Sequence, residues 1–388
     1  MSVVGTHIAG QWKYTPTDFG GSLPQLTLPF LNIDALDLFF LGTLGLPALS
    51  SLGVYLFFLL SGYLLLGLED ERRRRGTYSV RSYAIRRALR ILPAYYVAIA
   101  IVVVTCFLLF YSDVSLEYMV KWGVLHLLFL YAILEPVNGA VVHTYWYLNA
   151  EMFNYLLLPF VVTLLPRLRQ RLALSGLLFI LSLGVQVYIG QSGLRSVEAL
   201  ESGALNLWFL SELPIVMFLF IVGGLLRMTT ERLGNQKQSR WLPLVSSALL
   251  LASLLLYALQ LLFTAYPFVG EILDNGEIAV IAFFASAVLG APLLSKVLRW
   301  KPLAFIGLIS YSMYLLNDII YAVAGAAGIL DLIRDWAASE GSSLTVWIAF
   351  FAYTVGLLEV CIIVSYLSYR YVERPFLRCK PYLTTTSG

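Results

Sequence analysis

The sequence predicts an all-α fold, a polytopic transmembrane helix bundle of about nine to ten spans. Three observations predict it. Hydrophobic residues fill 59% of the 388 positions, charged residues only 13%, and the mean hydropathy is +0.80, whereas soluble domains carry roughly 25% charged residues. Several apolar runs reach the roughly 20 residues that cross a bilayer. The basic residues gather between those runs, where they orient helices rather than coat a polyanion. This pattern argues against a soluble globular protein, and against nucleic-acid binding despite a net charge of +3. The three cysteines, Cys106, Cys361 and Cys379, stand at no metal-ligand or disulfide-framework spacing, so no metal and no resident cofactor are expected.

In chain order, the first 50 residues read as an outer-face segment, punctuated by Gly and Pro, with an apolar stretch at 36–49 suited to a surface or half-buried helix. No signal peptide is expected, because no charged n-region and cleavage site flank an apolar core. A first span follows at 52–68. The loop 69–90 carries Arg72, Arg73, Arg74, Arg75, Arg81, Arg86, Arg87 and Arg90, which places it in the cytoplasm. The next span is 91–111, with Pro93 in its first turn. The 13 apolar residues 122–134 end at Glu135-Pro136 and are too short to cross. Spans continue at 145–165, 173–190, 207–226, 242–263, 278–298, 303–323 and 344–369, and 370–388 forms a cytoplasmic tail. With 122–134 not crossing, only Lys13, Lys121, Arg195 and Arg334 of the 26 basic residues fall outside. The chain thus reads as one integral-membrane domain, 1–388, without repeats or an appended soluble unit.

Ionisable groups inside spans cost about 2.5–3.5 kcal/mol on insertion scales, so each is a functional candidate. Glu151 lies about two turns into a span within TYWYLNAEMFNYLLLP, flanked one turn either side by Tyr147 and Tyr155. It is either a packing carboxylate or an outward-facing group that orients a base or a hydroxyl. Ser310, Tyr314, Asn317 and Tyr321 recur at spacings of four, three and four, which puts them on one helix face. Such a stripe lines a cavity or ties helices together. Asp318 adds a charge near its outer end, while Glu359 and Glu212 are weaker cases. Arg86 or Arg87 pairs with Arg90 on one face where the chain enters the membrane, a fork of donors suited to the phosphates of a cytosolic ligand. Arg72 to Arg75 read as topology determinants. His7, His126 and His143 offer proton transfer near neutral pH. No HExxH, P-loop or GxSxG element is present, so metalloprotease, NTPase and α/β-hydrolase chemistries have no support.

Five stretches together resemble the integral-membrane acyltransferase 3 family, which moves acyl groups from acyl-coenzyme A to sugars and other hydroxylated acceptors. They are LGVYLFFLLSGYLL, IRRALRILPAYY, TYWYLNAEMFNYLLLP, FIGLISYSMYLLN and SYRYVERPF. Each is a weak apolar string, and their order and spacing make the match specific over most of the chain. The resemblance places Ser61 in the family's SGF element, Arg87 and Arg90 in its RxxR element near the acyl donor, and Glu151 on its tryptophan-led helix, which starts at Trp146. It also implies a catalytic histidine, which His7 matches. The arginine that precedes this histidine in the family would fall four positions before Met1, so the first span reads as cut off. Tyr55 stands where the family usually has Asp, and Asn317 where it commonly has His.

The resemblance therefore implies an O-acyltransferase of a bacterial inner membrane, moving an acetyl or other short acyl group to a cell-envelope carbohydrate. Acyl-coenzyme A would be the donor substrate, docked on Arg86, Arg87 and Arg90. His7 would take the acceptor proton and Glu151 would orient it, with Ser61, Trp146, Ser310, Tyr314 and Asn317 lining the cavity. The alternatives are a flippase of lipid-linked sugars and an inactive family member. The acyl group, the acceptor and the oligomeric state are not legible in the sequence.

Overall fold

In the computed structural model the described residues are 35–109, 116–134, 145–191, 207–233, 241–263, 277–339 and 343–385. They are about 92% helical and contain no strand. The first helix, α1 (Ala35–Arg74), runs for 40 residues, about 60 Å at 1.5 Å per residue. The expected surface helix at 36–49 and the first span are thus one rod. No charge interrupts the chain between Asp37 and Glu69, and the helix runs on through Pro47, whose ring removes one intrahelical hydrogen bond without ending it. Three arginines in its last turn complement the helix dipole. The turn is then made by Gly76, whose φ of +71° suits only glycine without strain. Gly76 N–H bonds to Arg73 O at 3.0 Å and Thr77 N–H to Arg72 O at 2.9 Å, the pairing of a Schellman stop.

Helix α2 (Val80–Leu109) begins about three turns before the expected span. Its first turn is capped by Ser79, whose Oγ accepts from Ser82 N–H at 3.4 Å. Arg81, Arg86, Arg87 and Arg90 are therefore on a helix and not in a loop, and Pro93 lies in the helix interior and not in its first turn. Next come α3 (Leu116–Leu127), which has 12 residues, and the single turn α4 (Tyr131–Leu134), both too short to cross. The remaining elements are α5 (Trp146–Leu164), α6 (Leu168–Gln191), α7 (Leu207–Leu233), α8 (Leu242–Phe263), α9 (Glu277–Val288), α10 (Pro292–Leu298), α11 (Lys301–Ala326), α12 (Ile329–Ser339) and α13 (Ser343–Ser368). A π-helical turn (Tyr369–Glu373) then leads into α14 (Arg374–Thr385), so the expected cytoplasmic tail is largely helical and packs back on α2.

Among the described residues six helices are long and apolar enough to cross a membrane, and a seventh crossing is made if α9 and α10 count as one. The expected span 278–298 is bent by 81° between these two. Gly290, at φ +85°, allows the reversal and Pro292 starts the next helix. Helix α5 has 19 residues but spends three of them on Asn149, Glu151 and Asn154, so it falls short of the others in hydropathy.

The closest pairing is α1 with α7. A Cβ at Gly62 would lie 1.8 Å from the Phe220 carbonyl oxygen, and one at Gly223 only 2.1 Å from that of Leu59. The two backbones touch, the usual device where lipid offers no hydrophobic driving force between helices. At the arginine-rich end α6 is fastened to α1. The fully buried Arg171 donates from both Nη atoms to Asp70 at 2.6 and 2.7 Å, and from Nε to Leu165 O at 2.9 Å.

Candidate active site

The glycine seam turns α1 so that Gly62 meets α7 while Ser61, the residue before it, faces α5. There, α1, α2, α5 and α11 enclose a chamber of about 320 Å³. Its polar lining is Ser61, Arg87, Arg90, Tyr147, Glu151, Tyr155, Ser310, Tyr311 and Tyr314. Aromatic contacts and hydrogen bonds fix the frame. Tyr147 packs edge-on to Tyr314 with ring centroids 5.2 Å apart, and lies 4.6 Å from Phe58. Tyr145 Oη donates to Leu315 O at 2.9 Å, which ties α5 to α11. Tyr311 Oη donates to Ile91 O at 2.9 Å, which ties α11 to α2.

Glu151 is 3% exposed, and Ser61 Oγ donates to its Oε1. Its Oε2 has no well-formed hydrogen bond; Tyr155, Asn154 and Arg87 are the other polar groups that act on the carboxylate. Asn154, one turn further along α5, is fully buried and neither atom of its amide makes a hydrogen bond among the described residues. A buried carboxylate with one oxygen short of a well-formed hydrogen bond is costly unless something else completes the set, which makes the chamber wall at Glu151 a place able to receive a polar group.

The three predicted arginines part company. Arg86 Nη2 donates to both oxygens of Glu69 at 2.9 and 2.8 Å, and Glu69, 1% exposed, also holds Arg72. Arg86 is thus a brace between α1 and α2 and does not line the chamber, contrary to its expected place among the phosphate-binding residues. One residue is about 100° of helix rotation, and that turns Arg87 inward instead. Arg87 lines the chamber, makes no ion pair among the described residues, and its Nε has no hydrogen bond. Arg90 lines the chamber too. It lies 3.6 Å from Glu373 Oε2, with its guanidinium 5.9 Å from the Tyr311 ring centre.

Sequence reasoning did not single out Glu69, Asn154 or Glu373. Glu373 is buried in the π-helical turn and accepts from Ser312 Oγ, which also bonds Ser368 Oγ at 2.8 Å. The signal for it was the SYRYVERPF string, which carried the resemblance but was given no chemical role.

The polar stripe on α11 splits. Ser310 and Tyr314 reach the chamber, whereas Asn317 is buried outside it and donates to Tyr314 O at 3.1 Å. Tyr321 packs with Met313, Tyr353 and Cys361. The stripe was read as one face, but a helix face 12 residues long, from Ser310 to Tyr321, meets more than one neighbour. Trp146 is half-buried and does not line the chamber, because five residues set it about 140° around α5 from Glu151. Glu359 is exposed on α13 and Glu212 is half-buried.

His7 and His143 lie outside the described residues. His126 is fully buried in an aromatic box, stacked on Tyr131 at 4.4 Å and beside Trp122 at 4.2 Å, with Tyr95 Oη 3.0 Å from Nδ1. Burial pushes its pKa down to about 3, so it is a sealed neutral ring and a poor base. Among the described residues no group of three or more His, Cys, Asp or Glu is placed to hold a metal.

A protein-family profile described as an acyltransferase domain matches residues 1–366. No curated protein and no solved structure matches the chain.

Proposed function

The chain belongs to the acyltransferase 3 family, a membrane acyltransferase by that membership, and from this premise we propose that it transfers an acyl group from cytosolic acyl-coenzyme A to a hydroxyl of a cell-envelope carbohydrate, in a bacterial inner membrane. One observation carries the reading. Arg87, without an ion pair among the described residues, and the Ser61–Glu151 pair face one cavity, which supplies a cation for an anionic donor and a carboxylate for proton management.

In the proposed reaction the acceptor oxygen attacks the thioester carbonyl. The carbon–sulfur bond breaks, an ester carbon–oxygen bond forms, and the hydroxyl proton ends on the coenzyme A thiol. Arg87 and Arg90 attract the donor phosphates to the mouth of the chamber. The Arg86 guanidinium stays with Glu69 and has no direct role. His7 is the proposed base, and Glu151, held by Ser61, orients it or offsets its charge as the proton arrives. Coenzyme A is a substrate here and not a resident cofactor.

The test is transfer of label from acyl-coenzyme A to a cell-envelope oligosaccharide by the purified protein in nanodiscs. Label on an acceptor hydroxyl is expected, with Glu151→Gln and His7→Ala each slowing transfer about 10²- to 10⁴-fold. Uptake of a lipid-linked sugar into vesicles without any transfer of label would replace this reading by a transporter.

A further inference from the structure

A second cavity lies against the chamber. Helices α2 and α5 diverge around a cleft of about 490 Å³, larger than the chamber itself. On the α2 side Ala84 and Ala88, one turn apart, present only methyl groups where a larger side chain would fill the gap. On the α5 side the wall is Leu156 and Phe160, 65% and 61% exposed, so the cleft opens towards the lipid. From Val80 to Leu92 it follows about 18 Å of α2.

Its chemistry excludes a sugar. Beyond Arg87 the polar lining amounts to two tyrosines and Thr163, and Tyr83 Oη is already committed to Tyr155 O at 3.1 Å. A carbohydrate needs several convergent donors and acceptors, whereas a hydrocarbon chain needs none. The position of the inner end selects which hydrocarbon. Arg87, Ile91 and Tyr155 line both cavities, so a chain leaving the chamber beside Glu151 has only to pass these residues to lie in the cleft. A bilayer lipid would use the open cleft and Arg87 but not the passage to Glu151, which only a chain ending at the transfer site needs.

We propose that the α2–α5 cleft is the acyl-chain site of the donor and that the protein takes acyl thioesters of medium chain length, longer than the acetyl or other short acyl group expected from the sequence. The proposal rests on the reading of the chamber as the transfer site. The thioester carbonyl stays in the chamber, the alkyl tail lies along Ala84 and Ala88, and its methyl end points to the cytosolic side of the lipid.

The test is a decanoyl-coenzyme A analogue with a photoreactive diazirine at the chain end, added to the full chain in nanodiscs. Cross-links are expected within 80–92 and 152–163, displaced by excess octanoyl-coenzyme A. Ala84→Phe, on an exposed position, is expected to lower the ratio of decanoyl to acetyl transfer about tenfold or more, the range that buried methylene contacts command. Leu156→Ala, which widens the cleft, should raise that ratio. Cross-links elsewhere would overturn the proposal, as would labelling of the same segments by a diazirine phospholipid that acyl-coenzyme A does not displace. Displaceable cross-links in the cleft with no transfer from any donor would uphold the chain site and count against the proposed reaction, so the two failures are told apart.

Discussion

The two flanks of the chamber use small residues to opposite ends. Where α1 crosses α7, Gly62 and Gly223 bring backbone against backbone, and Gly224 leaves room only for the Leu66 side chain, 2.3 Å from where its Cβ would be. Where α2 faces α5, Ala84 and Ala88 leave a void of about 490 Å³. The difference lies in the neighbours. At the seam the partner surface is carbonyl oxygen and Leu59, Leu219 and Phe220, all fully buried, so removing a side chain lets the helices approach. At the cleft Arg87 and Tyr155 stand between the helices and hold them apart. Small residues close an interface only when nothing bulky shares their turn.

The largest effect should follow from breaking the seam. Gly62→Leu puts a branched side chain where even a methyl group would overlap the Phe220 carbonyl, and backbone cannot yield as a flexible side chain does. Overpacking of this kind costs about 3 kcal/mol or more. We expect loss of the monodisperse peak in detergent and a large fall in unfolding temperature. The matched control is Ala84→Leu, which adds all but one carbon of that bulk to the open flank and should leave the unfolding temperature almost unchanged. Equal behaviour of the two variants would remove the distinction between closed and open flanks.

The next effect leaves both flanks intact and alters only what lies between them. Glu151→Gln keeps the shape of the chamber and can still accept from Ser61, but it cannot take or offset a proton. Acyl transfer should fall about 10²- to 10⁴-fold while the unfolding temperature holds or rises, because a neutral amide is cheaper to bury than a carboxylate. Ser61→Ala should cost less, about 10- to 100-fold, the worth of one hydrogen bond to a charged group. A Glu151→Gln variant with a lowered unfolding temperature and normal transfer would make the carboxylate a packing element.

How much of this was legible in the sequence depended on how local each cause is. Glu151 could be found from one line of sequence, because a charge inside an apolar run has no cheap explanation. That an arginine from the 86–87 pair would face the site was readable too, but not which one. The choice rests on Glu69, 17 residues away, capturing Arg86 across the Gly76 turn. The single helix α1 was misjudged because the Gly and Pro punctuation of the first 50 residues was read as a break before the span. The cleft was invisible, since an apolar face on α2 looks the same in sequence whether or not its neighbour touches it. Glu373 was the least accessible, being 283 positions from the arginine it faces.

That last pair offers the finest test of the open side. Glu373 lies on the π-helical turn, where one extra residue in the turn re-aims the side chain towards α2. There it meets Arg90 at 3.6 Å and Ser312 Oγ together. Of the chamber lining it pairs with Arg90, so its effect on the donor is expected to pass through that guanidinium, and it is a positioning residue. Glu373→Gln keeps the acceptor for Ser312 but removes the charge that holds Arg90. The KM for acyl-coenzyme A should rise about three- to tenfold with kcat within about twofold, the pattern of lost uniform binding. Glu373→Asp keeps the charge and should recover part of that affinity. A fall in unfolding temperature with KM unmoved in both variants would show that Glu373 only fastens the C-terminal helix to α2, and Arg87 would then hold the donor without help from Arg90.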